Sequence, residues 1–296
     1  MNENIRIGTI VKGGASSASY IRQINRHGFE SYSIMFWQDC GISDWSSFAA
    51  EIMEAVKESG AVISSLGIFG NPLENGEMDL KTLQGWKDCI RHAALFNCDI
   101  VSGFTGRLRG KSIPDSIPRF KEVFSELADL AGEYKVRLAF ENCDMGGSWL
   151  SGDWNIALTP DAWELIFEAV PHKNVGLQWE PCHQMVKLID PMPQLDAWKD
   201  RIFHSHGKDA IIYHDILAKH GTGGAKQYAF HRTPGFGSSN WTEIISRLRR
   251  NGFKGSIDIE GWHDPVYRDD LEMSGQVHAL KYLKNARGGS FVPNPV

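Results

Sequence analysis

The 296-residue sequence predicts one α/β domain of the (β/α)8, or TIM-barrel, class spanning residues 1–296. Three observations carry that prediction. Short apolar runs alternate eight times with segments of helical period. The runs are apolar throughout rather than alternating, as parallel strands buried on both faces are. No GxGxxG follows the first run, which weighs against an open dinucleotide-binding sheet. Eight strand–helix units in one chain point to a closed parallel barrel, and such barrels reach this length as single domains.

In chain order, the first run is 5–11, with a helix near 16–27. The second is 31–36, with a helix from about 44 to 59. The third is 61–69, then a helix over 80–96. The fourth is 99–104, and its helix, 114–133, shows the pattern most clearly. Ile117, Phe120, Phe124, Leu127, Ala131 and Tyr134 fall at alternating spacings of three and four, one face of an α-helix. Pro114 and Pro118 lie near its start, where a missing N–H is tolerated best. The fifth run is 136–140 with a helix over 160–169, and the sixth is 175–179 with a short helical stretch near Gln194. The seventh is 202–205, its helix delayed to about 240–250, and the eighth is 255–259, followed by 269–283.

Two connections are long, 142–158 and 207–239. Both leave strand ends on the face where barrels place their chemistry, and long loops there act as lids or remain flexible. Trp149 and Trp154 in the first favour a lid. The GTGGAK stretch of the second lacks a GxxxxGK[ST] pattern and reads as a plain loop.

A formal charge of −5 gives no basic footprint for nucleic acid, so the expected partner is a small-molecule sugar or polyol. The five cysteines, Cys40, Cys89, Cys98, Cys143 and Cys182, contain no CxxC pair and fit free thiols in a reducing compartment. The N-terminus lacks a signal-peptide pattern and no apolar run approaches a membrane span, so a cytoplasmic location is expected.

The chemistry is written at the ends of strands five to eight. VRLAF runs into Glu141, VGLQW into Glu180, IFHS into His206 and SIDI into Glu260. One such residue would mean little, because carboxylates often cap helices after strands. Four at one level would converge, since adjacent strands lie about 4.8 Å apart. Three carboxylates so placed repel, and a divalent cation resolves that repulsion. Oxygen ligands with one imidazole suit Mn2+ first, with Mg2+, Co2+ and Zn2+ as alternatives.

With Glu141-Asn142, Glu180-Pro181-Cys182-His183, His206-Gly207-Lys208-Asp209 and Ile259-Glu260, the chain resembles the xylose isomerase-like barrels, the sugar phosphate isomerases and epimerases, over essentially its whole length. Two positions depart from the family pattern. The strand-six ligand, usually Asp, is Glu180, and Lys208-Asp209 stands where ketose 3-epimerases carry Gly-Glu after the histidine. The resemblance implies metal-assisted enolisation. The metal holds a carbonyl and a neighbouring hydroxyl, and Glu141 and Glu260 flank the sugar, one removing a proton and the other returning it. His183 would bind a substrate hydroxyl or support the ligands. Lys208 could bind a substrate oxyanion or pair with Asp209. Phe36, Trp37 and Trp262 could wall a sugar or pack in the core. His204, two before His206, shares its side of the strand. His263 and Asp264 read as loop caps, and Cys143 and Cys182 as bystanders. His27, His92, His172 and His220 are expected to face solvent.

An isomerase or epimerase of a ketose, keto-inositol or related sugar is the leading reading. The alternative is a lyase of the same superfamily, such as an inosose dehydratase or a C-glycoside deglycosidase large subunit, which would bring a small partner subunit. The resemblance also leaves open a homo-oligomer. A DNA-repair nuclease needs many more His and Asp ligands and a basic face. A binding protein without activity would not need an intact ligand set.

Overall fold

Eight parallel strands, in the order β1-β10-β7-β6-β5-β4-β3-β2, close a barrel in the computed structural model. The structure describes residues 4–261, 263–290 and 292–295. The barrel strands are β1 (Arg6–Lys12), β2 (Ser31–Trp37), β3 (Val62–Phe69), β4 (Ile100–Gly103), β5 (Arg137–Glu141), β6 (Val175–Trp179), β7 (Ile202–Gly207) and β10 (Ser256–Ile259). These are the eight apolar runs, each within a residue or two of its expected bounds. The chain packs as two compact bodies. One comprises Ile10–Trp179 with Asp200–Ser205, and the other Met1–Thr9, Glu180–Lys199 and His206–Val296.

The larger body holds α1 (Ser17–Ile24), α2 (Trp45–Lys57), α3 (Glu77–His92), α4 (Ile113–Glu133) and α5 (Pro160–Ala169). Helix α4 forms because Ser112 accepts the Asp115 N–H at its start and Pro114 occupies its first turn. Its buried face includes Phe120, Phe124, Leu127 and Ala131. Tyr134, expected on that face, lies one residue past the helix and is exposed. Phe140 of β5 packs edge-on against Trp86, Phe120 and Phe124, which fixes the outer face of that strand. Alternation along the strand turns Glu141 to the opposite face. Gly103 ends β4 at φ 157°, and a Cβ there would stand 1.9 Å from the Ile68 carbonyl oxygen, so only glycine allows β3 and β4 to approach. Phe36 packs against Trp45 and Phe48 as core. His92, expected in solvent, stacks on Trp45 at 4.9 Å.

The 142–158 connection is a fixed wall rather than a free lid. Arg107 is fully buried, and its guanidinium donates to the carbonyls of Lys111, Ser148 and Trp149. Asn155 accepts the Thr105 hydroxyl and donates to the carbonyls of Glu141 and Cys143. Asn71 donates to the carbonyl of Asp153.

In the second body β1 pairs with β10, Thr9 lying opposite Ile259. The helices are α6 (Pro181–Val186), α7 (Pro191–Ala197), α8 (His214–His220), α9 (Trp241–Arg250) and α10 (Glu272–Ala286). The 207–239 segment, read as loop, instead folds into β8 (Asp209–Ile212) and β9 (Ala229–Arg232), an antiparallel hairpin bridged by α8. Strands of four residues carry too weak a pattern to read in advance. Among the described residues, no helix is long and apolar enough to cross a membrane.

Candidate active site

Glu180 follows β6 immediately and caps α6, whose first residue is Pro181. The proline ends the strand and starts the helix in one step, so His183 lies one turn away on the same side. His183 Nε2 stands 2.9 Å from Glu180 Oε1. His206 lies within β7 rather than after it, and Glu260 follows β10, its N–H donating to the Gly207 carbonyl. That backbone bond brings the two side chains together, with His206 Nδ1 3.2 Å from Glu260 Oε2. Lys208 is 2% exposed and places Nζ 2.6 Å from Glu260 Oε1 and 3.4 Å from His183 Nε2.

Asp209 sets the course of the chain just beyond Lys208. Its carboxylate accepts the N–H groups of Ala210 and Ser239 and the indole N–H of Trp241. Burial raises its pKa, and these donors oppose the rise. Lys208 therefore pairs with Glu260, and Asp209 holds the root of the hairpin and the start of α9.

The electrostatics favour ionised carboxylates. Burial works against the charge on Glu260, yet Lys208, then the donors His206 and His263, hold it well below the usual carboxylate range. Burial also opposes charge on Glu180, where His183 and Lys208 pull the value down. One donor atom from each of Glu180, His206 and Glu260 lies within 4.8 Å of the others. Two buried carboxylates and an imidazole at that spacing fit a hard or borderline divalent ion. Burial pushes the Cys182 thiol well above its ordinary value, so the cluster offers oxygen and nitrogen rather than thiolate.

Glu141 is the buried last residue of β5, opposite Gln178 of β6 and thus two residues short of Glu180 along that neighbouring strand. His204 shares a 2.9 Å contact with Gln178 and is wholly buried. Trp37 ends β2 in the larger body, 48% exposed, tilted against Trp154 at 5.6 Å and edge-on to Phe104. Trp262 lies outside the described residues.

Of three further residues near the cluster, the sequence read His263 as a loop cap and Cys182 as a bystander and left His231 unremarked. His263 places Nε2 3.2 Å from Glu260 Oε1. Cys182 donates its thiol to Glu180 Oε2 at 3.3 Å. His231 reaches His183 from β9, and nothing in its sequence neighbourhood marks it. Only for His263, three residues past Glu260, did spacing hold a signal. Asp264 does cap its loop, accepting the N–H groups of Thr233, Val266 and Tyr267.

Buried carboxylates, a lysine and imidazoles thus stand at the C-terminal ends of barrel strands, the face on which barrel enzymes place their active sites. The chain belongs to the xylose isomerase-like TIM barrel family, whose model matches residues 21–286. It is 27% identical over 164 residues to an inosose dehydratase of Bacillus velezensis, covering 54% of this chain and 51% of that protein. An inosose dehydratase of Lactiplantibacillus plantarum is 32% identical over 115 residues, 38% of either chain. The chain thus spans about half, or less, of the length of these curated relatives. Among solved structures, a 3-keto-D-glucoside 4-epimerase from E. coli superposes with TM-score 0.70 at 14% identity, over 95% of this chain and 100% of that one. At that identity the likeness is one of fold.

Proposed function

We propose that the protein is a divalent-metal-dependent enzyme that removes the proton beside the carbonyl of a ketose, keto-inositol or related sugar and completes an isomerisation or epimerisation. The observation that carries this reading is the buried cluster of Glu180, His206 and Glu260, with Lys208 Nζ 2.6 Å from Glu260. Glu141, Glu180, His206 and Glu260 are the proposed ligands, and Mn2+ the ion expected first. When bound, the ion supplies polarisation of the carbonyl and counter-charge for the enediolate.

The chain's own groups supply the rest. Lys208 keeps Glu260 ionised and so able to accept a proton. Glu141 is the carboxylate proposed to exchange it on the other face of the sugar. His183, oriented by Glu180, donates to a substrate hydroxyl. Trp37 and Trp262 are proposed to flank the ring.

One observation favours a second reading, elimination by a lyase. Lys208 lies between Glu260 and His183, so a proton donor for a departing oxygen stands beside the base. The two sequence relatives named inosose dehydratases support it. Incubation of the Mn2+-loaded protein in D2O with a panel of keto sugars and inososes separates the readings. Isomerisation or epimerisation gives deuterium uptake with conserved composition, whereas elimination releases water or an aglycone. No exchange of carbon-bound hydrogen across the panel would overturn both.

A further inference from the structure

In the larger body the chain leaves β2 through an irregular segment, 38–44, before α2 begins. The Gln38 carbonyl accepts the Thr82 hydroxyl of α3 at 2.8 Å, and the Asp39 carboxylate accepts the Gly41 N–H at 2.9 Å. These bonds hold Cys40 against α3. Its Sγ lies 3.8 Å from Cys89 Sγ and 4.0 Å from the Gly85 carbonyl oxygen. Gly85 permits that approach, because a Cβ there would stand 2.9 Å from Ile68 Cδ1 and 3.2 Å from Cys40 Sγ. Glycine inside a helix is costly, and here the bare backbone seats the sulfur.

Both thiols are free, and they differ in access. Cys40 lines a cavity of about 270 Å³ together with Asp39, Ser43, Lys81, Gln84 and Asp88. Cys89 is wholly buried on α3. Burial, then its contact with Cys40, push the Cys89 thiol well above its ordinary value, so it stays protonated. A small oxidant in the cavity therefore meets Cys40, and Cys89 is the thiol within reach of whatever forms there. A sulfenic acid beside a second thiol condenses to a disulfide. The sulfurs must close from 3.8 Å to about 2.0 Å. Cys40 lies on the irregular segment, which gives more readily than a helix does.

We propose that Cys40 and Cys89 form a peroxide-sensitive pair that closes a reversible disulfide between the segment after β2 and α3. In the first step the Cys40 sulfur attacks hydrogen peroxide and the O–O bond breaks. One oxygen stays on the sulfur as a sulfenic acid, and the other leaves as water. In the second step the Cys89 sulfur displaces that hydroxyl, which leaves as water with the Cys89 proton. The two thiols lose two electrons in all, and one peroxide becomes two waters. The bond ties the segment that follows Trp37 to α3.

The test is treatment of the folded protein with a small excess of hydrogen peroxide, alkylation of the remaining thiols with maleimide, tryptic digestion and mass spectrometry. Alkylation is expected to fall from all five cysteines to three, Cys98, Cys143 and Cys182. Tryptic peptides 27–57 and 88–91 are expected joined, with a mass lower by two hydrogens, and dithiothreitol is expected to part them. Cys89→Ser is expected to trap Cys40 as a sulfenic acid that dimedone captures, and Cys40→Ser to leave Cys89 a thiol. A cooperative thermal transition before treatment assigns the chemistry to the folded protein. Absence of the 27–57/88–91 link in the wild type, a link from Cys89 to Cys98 instead, or no dimedone adduct on Cys40 in a folded Cys89→Ser variant overturns the proposal.

Discussion

Glu260 is met by three nitrogens, those of Lys208, His206 and His263. A carboxylate so supported stays ionised although buried, and only an ionised carboxylate can both hold a cation and take a proton. Glu260→Gln keeps the shape and removes both abilities. It is expected to lower hydrogen exchange on any accepted substrate by about 10²- to 10⁴-fold, with a cooperative thermal transition retained. Full exchange by this variant would refute the role given to Glu260. Glu180, His206 and Glu260 were legible because each interrupts or follows an apolar run abruptly. Lys208 was legible as a group to bind a substrate oxyanion or pair with Asp209, and its pairing with Glu260 was not. The fold turns Asp209 instead onto the Ser239 and Trp241 N–H groups.

Among the elements, the 142–158 connection departs most from expectation. Its aromatic content suggested a lid, and Arg107 makes it a wall, since a buried guanidinium spanning three carbonyls fixes the segment to the loop after β4. Arg107→Ala leaves those carbonyls without their donor. A loss of roughly 3 kcal/mol in chemical unfolding is expected, with faster proteolysis inside 142–158. Unchanged stability together with an unchanged cleavage pattern would show that the segment is held by other means. The hairpin of β8 and β9 carries the opposite lesson. Its residues gave no periodic signal, yet it delivers His231 to the cluster. Helix α4 needed no tertiary help to be read, because its apolar stripe, proline and serine cap all agree.

For the whole molecule, two stability measurements follow. Asp79 is 3% exposed and bonded to Arg109, whose guanidinium, despite the opposing effect of burial, lowers the Asp79 pKa. A folded-state value below the unfolded one, near 3.9, means the contribution is present above about pH 4 and is lost as pH falls through the folded value. Asp79→Asn is therefore expected to be less stable at pH 7 and to lose less stability than wild type on acidification from pH 6 to pH 3, measured by urea unfolding. Parallel pH profiles would contradict this. Metal binding stabilises by mass action, about 2.7 kcal/mol at a hundredfold excess over Kd. Mn2+ should raise Tm and a chelator lower it, and Glu180→Ala should abolish the response. A Tm indifferent to Mn2+ in the wild type would count against a metal centre.

The sequence by itself determined the barrel, because eight buried parallel strands must be apolar on both faces and each must be followed by a helix to cover it. It also marked Glu141, Glu180, His206 and Glu260 as strand-end residues, since each interrupts or directly follows an apolar run. Only the tertiary structure decided which groups complete the cluster. Lys208 on Glu260 and His231 beside His183 are pairings across separate loops and strands. Local periodicity reports what a segment buries; it does not report which distant segment it meets.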